Sequence, residues 1–220
     1  LLLPGILVGS LGNALGTYAG FLMVGWLQSV PSPISAAHAI PPPPAQSVAD
    51  CERPTYASDQ LVCADAELLA LDRELRDRLA TVDLRARVAP ASLIEPDDLW
   101  FRRRSLCTFS ERHAACLKAA YSERIAVITS VDSASTEVTQ RSESATCRDA
   151  PWGSSDVNVR RTDDQSATVT DMQGRVIAVA FVTSRGGDWS PSVRYAVHGA
   201  AIRFTALNGS TVECHIRSAD

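Results

Sequence analysis

Six cysteines are the residues of this 220-residue chain whose chemistry is easiest to predict. They are Cys51, Cys63, Cys107, Cys116, Cys147 and Cys214. Their number is even, and none of them forms the short Cys-x-x-Cys pair that is typical of zinc ribbons and fingers. We therefore predict disulfides formed in an oxidising compartment, and no metal ion. Reduced core cysteines in a cytosolic protein are the alternative.

The other reactive side chains do not form a catalytic motif. The four histidines are scattered along the chain: His38, His113, His198 and His215. No serine or cysteine stands in a nucleophile motif, and residues 100–125 show no hydroxyl, carboxylate and histidine at spacings that would converge on a substrate. We therefore expect a protein that is not an enzyme and that uses no cofactor.

The composition is that of a globular protein. Hydrophobic residues make up 45% of the chain and charged residues 21%, which are ordinary values for folded domains. The formal net charge of -4 gives no basic surface for nucleic acid, and it favours encounter with a basic partner. The length allows one large domain, or two small ones with a leader.

The first 39 residues have the pattern of an export signal. They carry no charged side chain, and they end in Ala37-His38-Ala39, the small-x-small pattern of a signal-peptidase site. An uncleaved membrane anchor is the alternative. Residues 40–50, with four successive prolines, are predicted to be an extended spacer. These features predict a periplasmic or secreted protein, with membrane attachment only through residues 1–39.

A helical hydrophobic period follows between residues 51 and 130. An apolar stripe at helical spacing comes after Asp65, a suitable N-cap residue. The stripe consists of Leu68, Leu71, Leu75, Leu79 and Val82. A break near Ala89-Pro90 ends this helix, a second helix starts near Glu95-Pro96, and a third starts near His113. The pattern predicts a small antiparallel helical bundle, to whose stability disulfides contribute.

The polar and aromatic side chains of this bundle are assigned by their helical positions. Trp100, Tyr121 and Asp72 are expected to make core and interhelical contacts. The arginines are expected at the edges of the helices: Arg104, Arg112 and Arg124. The connection Thr108–Ala114 is the exposed candidate for binding a partner in this region.

The disulfide pairing within the bundle stays open, because four cysteines allow three pairings. Proximity at the helix ends makes two of them reasonable. One joins Cys51 to Cys63 and Cys107 to Cys116, and the other is a crossed arrangement that joins Cys63 to Cys107.

The hydrophobic period changes to two at Cys147, after a Ser- and Thr-rich stretch at residues 131–146 that is predicted to be a linker. Short alternating runs follow, separated by turn signals such as Arg185-Gly186-Gly187 and Asn208-Gly209. Such runs predict a small barrel or sandwich of antiparallel strands in residues 147–220. Cys147 and Cys214 nearly enclose this region, so they are a natural pair.

Four cysteines, a tryptophan, a tyrosine and two arginines follow in order in the helical region. Besides the cysteines, the residues that carry the pattern are Trp100, Arg104, Tyr121 and Arg124, together with the stretch AELLALDREL. This order resembles the LprI-like lysozyme inhibitors over about residues 51–130. Ser105 stands where that family commonly has an acidic or amide residue.

The stretch WSPSVRYAVHG carries a second resemblance, over residues 147–216. It is similar to the Ser-Gly-x-Arg-Tyr loop of the MliC/PliC inhibitors of C-type lysozyme, which are small β-barrels. Arg194 and Tyr195 match that loop, Ser192 occupies its glycine position, and Ser192 or Ser190 represents its serine. The Lys-Gly segment of that family is not visible, and Arg203 is the residue that would replace it.

Together the resemblances imply an α+β protein of two domains, a disulfide-stapled helical bundle followed by a small antiparallel β-barrel. They imply a C-type lysozyme as the protein partner. The implied contact residues are Ser190, Ser192, Arg194, Tyr195 and Arg203. The alternative is a cell-envelope module that binds peptidoglycan or another protein without inhibiting an enzyme.

Overall fold

The computed structural model describes residues 46–134, 142–153, 155–162, 165–182 and 188–217. The predicted leader and most of the predicted spacer lie outside these residues. The end of the spacer is part of the fold, because Ala49 is buried and its amide donates a hydrogen bond of 2.8 Å to Asp72 on a neighbouring helix. Among the described residues, no helix has the length and apolar composition that a membrane crossing requires.

The first part of the described chain is helical. Its helices are α1 (Ala57–Ala64), α2 (Ala66–Thr81), α3 (Leu84–Arg87), α4 (Asp97–Ser105) and α5 (His113–Ala134), and a 3-10 turn at Leu106–Phe109 follows α4. The predicted cap of α2 is confirmed, because the Asp65 carboxylate accepts hydrogen bonds from the amides of Glu67 and Leu68. The predicted third helix also begins at His113.

The bundle core combines apolar side chains with a buried polar network. Trp100 and Tyr121 are buried and pack edge to face, with ring centroids 5.6 Å apart. The expected core position of Asp72 is confirmed. The expectation that Arg104 and Arg124 lie at helix edges was wrong, because both are buried: Arg104 faces acidic groups of other helices, and Arg124 donates to Glu95 O and to Asp97.

The second part of the chain is a closed barrel of seven strands in chain order. They are β1 (Glu143–Arg148), β2 (Asp156–Thr162), β3 (Ser166–Thr170), β4 (Val176–Phe181), β5 (Val193–His198), β6 (Ala201–Ala206) and β7 (Thr211–Ile216). Neighbouring strands are antiparallel except β4 and β5, which pair in parallel, so the expectation of a wholly antiparallel barrel was wrong at this place. The Arg185-Gly186-Gly187 turn lies outside the described residues.

The elements occupy part of the predicted linker. Helix α5 runs to Ala134 and β1 begins at Glu143, so both ends of the stretch 131–146 are regular structure. Strand β1 has the sequence ESATCR, whose small polar side chains hide its strand character.

Three disulfides join the predicted cysteines. Cys51 pairs with Cys63 and Cys107 pairs with Cys116, which is the first of the two arrangements considered for the bundle. The predicted pair of Cys147 and Cys214 is confirmed, and these residues lie directly opposite each other on β1 and β7.

Strand β4 joins the helical part to the barrel. Its sequence, VIAVAF, is buried along its whole length. Ile177, Ala178 and Ala180 face the barrel core, whereas Val176, Val179 and Phe181 belong to the core of the helical part. The segment between α3 and α4 also reaches the barrel, because the amides of Ala89 and Leu93 donate hydrogen bonds to the carbonyls of Val176 and Ile177. Strand β4 therefore contributes side chains to the core of the bundle and to the core of the barrel, and so joins the two.

Candidate functional site

Glu123 on α5 holds the segment that leads into β5. Its side chain lies in a largely apolar contact between α5 and the barrel, and the residue is 8% exposed. One carboxylate oxygen accepts hydrogen bonds from the amide and the hydroxyl of Ser192, at 2.6 and 2.7 Å. The other accepts from the indole N–H of Trp189. A single buried carboxylate thus fixes both ends of residues 189–192.

Arg103 on α4 holds the same segment from the other side. Its guanidinium forms a two-pronged ion pair with Glu95 at 2.9 and 2.6 Å, and it also lies 3.4 Å from Glu123. It donates a 2.7 Å hydrogen bond to the Ser190 carbonyl and lies 3.7 Å from the centre of the Trp189 ring. Paired donors and an aromatic face suit a guanidinium, and a lysine could not make all of these contacts.

These contacts make the segment 188–192 part of a rigid surface. Ser110 in the turn after α4 donates a hydrogen bond to the Asp188 carboxylate, and Arg112 lies 3.4 Å from it. The hydrogen bond from Ser110, together with the charge of Arg112, lowers the pKa of Asp188 below its ordinary value. A segment that is ordered before binding loses less conformational entropy when a partner engages it.

Three of the predicted contact residues are exposed. Ser190 lies at the end of the anchored segment, and Arg194 projects outward from β5. Arg203 projects outward from β6 and pairs with Glu213 at 2.9 Å, and this hydrogen bond lowers the pKa of the Glu213 carboxyl. Arg194 lies opposite Thr205 and Arg203 opposite Ala196, so the two arginines are diagonal neighbours on one outward face.

The other two predicted contact residues are buried. The hydroxyl of Ser192 is committed to Glu123. The ring of Tyr195 belongs to the barrel core, 6.5 Å from the ring of Phe204. The structure therefore brings Arg194, Arg203 and Ser190 to the surface and places Ser192 and Tyr195 in supporting positions.

Arg194 differs from the neighbouring arginines in its surroundings. Arg103, Arg112 and Arg203 each have an acidic partner. Within the part of the chain that the structure describes, no ion pair or side-chain hydrogen bond is assigned to the Arg194 guanidinium. The described residues also contain no group of three or more His, Cys, Asp or Glu side chains that could hold a metal ion.

Replacing Glu123 by glutamine is expected to lower the free energy of unfolding by about 2 kcal/mol. The amide of glutamine has only one oxygen, which can accept hydrogen bonds either from the two donors of Ser192 or from those of Trp189 and Arg103. Its NH2 group then faces the donors on the other side, which lose their acceptor. Urea unfolding followed by circular dichroism measures the difference. Glu111→Gln, at an exposed carboxylate of the same part, is the matched control and is expected to stay within about 0.5 kcal/mol of the wild type. Equal stabilities of the two variants would contradict the anchoring role.

No protein-family model, no curated protein and no solved structure matches this chain.

Proposed function

We propose that this protein is a secreted or envelope-located inhibitor of C-type lysozyme, which protects peptidoglycan by blocking the active-site cleft of the enzyme. The observation that carries the proposal is the exposed guanidinium of Arg194, which has no ion-pair partner among the described residues. It stands on a barrel strand whose preceding segment is held by Glu123 and Arg103. The resemblances in the sequence support the same target.

The chemistry of the target suits this cation. C-type lysozyme cleaves glycan with two carboxyl groups, a protonated general acid and an ionised partner, in an open cleft. A guanidinium stays charged at any working pH and offers paired donors to a carboxylate. Arg194 would therefore bind where sugar oxygens and the developing oxocarbenium charge otherwise lie, and the enzyme would be blocked without any reaction.

The residues around Arg194 take different roles in this proposal. Ser190 supplies an exposed hydroxyl four residues before the cation, and Arg203, paired with Glu213, lies on the same face of the β5–β6 pair. Ser192 and Tyr195 support the site without contacting the enzyme. Ser192 fixes the start of β5 against α5, and Tyr195 anchors the strand in the barrel core. The proposal thus assigns direct contact to three of the five predicted residues and support to the other two.

The disulfides support the compartment in which such an inhibitor would act. Three disulfides indicate an oxidising, non-cytoplasmic location. Export through the N-terminal segment is part of the proposal. In that compartment the protein would meet lysozyme before the enzyme reaches peptidoglycan.

Lysis of a peptidoglycan suspension by a purified C-type lysozyme tests the proposal. The oxidised protein is expected to protect the suspension in a dose-dependent way. Arg194→Ala is expected to raise the concentration for half protection by about thirtyfold or more, because a desolvated charge pair is lost. Arg161→Ala changes an exposed arginine of β2, three strands away from both β5 and β6 around the barrel, and is expected to protect like the wild type.

Two outcomes would contradict the proposal. Absence of protection by the wild type at several-fold molar excess would leave the envelope-binding module as the better interpretation. Equal loss of protection in Arg194→Ala and Arg161→Ala would show that the face of β5 and β6 is not where the enzyme binds.

A further inference from the structure

A groove separates the 3-10 turn of the helical part from the anchored segment of the barrel. Its volume is about 340 Å³, and its walls include Phe109, Leu106, Trp189 and Leu207. Three of these side chains are unusually open to solvent for large apolar groups: Phe109 is 86% exposed, Leu106 64% and Leu207 48%. Apolar side chains from separate elements converge here, a feature that marks interaction sites when they form one patch.

The groove is built on fixed elements. The disulfide between Cys107 and Cys116 ties the turn to α5, and both sulfur-bearing residues line the groove. The opposite wall is held by Arg103, which contacts Trp189 and Ser190. Ser110 and Asp188 join the two walls through a hydrogen bond. The turn that carries Phe109 is therefore held in place by a disulfide and a hydrogen bond, so the exposed ring has a defined position.

The groove continues into the outward face that carries Arg194. The amide of Leu207 donates a hydrogen bond to the Ser192 carbonyl, which extends the β5–β6 ladder by one step. Arg194 stands two residues beyond Ser192, a separation of about 7 Å along a strand. A standard protein interface covers about 800 Å² on each partner, equivalent to a disc roughly 30 Å across. A protein that binds Arg194 can therefore cover the groove in the same interface.

We propose that this groove is a second contact site for the C-type lysozyme that engages Arg194, with Phe109 as the anchor that packs against the wall of the enzyme cleft. The inference rests on the proposed function and adds the helical part to the binding surface. The charge pattern suits such a partner, because the exposed cation of Arg194, which could bind a carboxylate, lies near an apolar strip that could pack on the cleft wall. Aromatic side chains in this position are the ones that commonly dominate binding energy.

The surface joins two parts of the sequence that carry separate resemblances. The helical part contributes Phe109 and Leu106, and the barrel contributes Arg194 and Leu207. Side chains of β4 and α5 pack in the same hydrophobic core, which fixes the helical residues of the surface relative to the barrel residues. The helical part then increases affinity through direct contact, and it also supports the barrel through Glu123.

Binding of the oxidised protein to purified C-type lysozyme, measured by isothermal titration calorimetry, tests this inference. Phe109→Ala is expected to raise the dissociation constant about tenfold, which is the usual effect of removing an interface anchor. Met172→Ala is the matched control, since Met172 is 60% exposed on the turn after β3 and does not line the groove. It is expected to bind like the wild type. Thermal unfolding of both variants is expected to match the wild type, because neither side chain is buried.

The outcomes separate this inference from the proposed function. If the wild type binds lysozyme and Arg194→Ala weakens binding, but Phe109→Ala binds like Met172→Ala, the groove is not a contact site and the proposed function stands. If the wild type does not bind, both proposals fail. Sedimentation of the protein alone gives the third result: a dimer that Phe109→Ala dissociates would assign the groove to a second copy of this chain and overturn the inference.

Discussion

Replacing Arg104 by methionine is expected to lower the free energy of unfolding by about 3 to 5 kcal/mol, because it leaves buried carboxylates without their cation. The Arg104 guanidinium lies 2.6 Å from Asp59 and 4.0 Å from Asp72, and none of the three side chains is exposed to solvent. Tyr121 completes the network: its hydroxyl accepts from Arg104 and donates to Asp72 at 2.8 Å.

The guanidinium of Arg104 is the fully buried cation at the centre of this network. Burial, the largest cause, and the Asp72 carboxylate raise the pKa of the Tyr121 hydroxyl well above its ordinary range, so the hydroxyl stays protonated and keeps donating. After Arg104→Met, Asp59 loses its cation and keeps, among the side chains that the structure describes, the 2.9 Å hydrogen bond from Gln46. Methionine fills much of the volume of arginine, so the loss measured is mainly that of charge and hydrogen bonds.

Urea unfolding of Arg104→Met and Arg76→Met distinguishes buried from exposed charge. Arg76 lies 3.4 Å from the same Asp72, but its side chain is 55% exposed. Arg76→Met is therefore expected to cost no more than about 1 kcal/mol. The double variant Arg104→Met with Asp59→Asn is expected to be less destabilised than the sum of its single changes, because the unpaired charge is removed with its partner. A cost below about 1 kcal/mol for Arg104→Met would contradict a central role of this ion pair.

The burial of Arg104 could not be predicted from hydrophobic periodicity. A hydrophobic period treats every charged residue as solvent-facing, so it placed this arginine at a helix edge. Its acidic partners come from α1 and α2, and no local rule predicts such a pairing. One signal was present: Arg104 stands four residues after Trp100, so both side chains lie on the same face of α4. A tryptophan face that includes an arginine indicates a buried cation that needs carboxylates.

The contact between the bundle and the barrel had a clearer signal. Strand β4 has no polar alternation, and an uninterrupted apolar run is typical of a strand that is buried on both faces. Helix α5 buries Leu117, Tyr121 and Ile128 on one face, and it also buries Glu123 and Val127 on another. A helix packed on two sides cannot be recognised from one stripe. Because we assumed two domains joined by a linker, we did not consider that β4 and α5 pack against each other.

The candidate site was therefore predictable only in part. The position of Arg194 on a strand with alternating burial followed from the period of two. Ser192 shares that outward face, yet it is buried, because the face meets α5 at this point and Glu123 takes its hydroxyl. The anchors Glu123, Arg103 and Trp189 are far apart in the sequence, and only the folded chain brings them together.

Replacing both Cys147 and Cys214 by serine is expected to lower the free energy of unfolding by about 4 kcal/mol in the chain-entropy account of disulfides. The bond joins residues 67 apart in sequence, so without it the unfolded chain gains a large amount of conformational freedom. The bridge also connects β1 to β7, the pair that closes the barrel. The backbone ladder between these strands remains in the variant, so the barrel is expected to stay closed but to unfold at a lower urea concentration.

The pair Cys107 and Cys116 supplies the comparison that tests this account. These residues are only 9 apart, and the same relation gives about 2.5 kcal/mol for their replacement by serine. Urea unfolding of the two double variants should therefore rank the barrel bridge above the bundle bridge. The opposite order would mean that the entropy of the unfolded chain does not decide the effect, and that the short bridge stabilises mainly through the folded contacts of the turn that presents Phe109. In that case the lysozyme contact proposed for Phe109 predicts that the Cys107 and Cys116 variant binds the enzyme as weakly as Phe109→Ala, since the turn would no longer hold the ring in position.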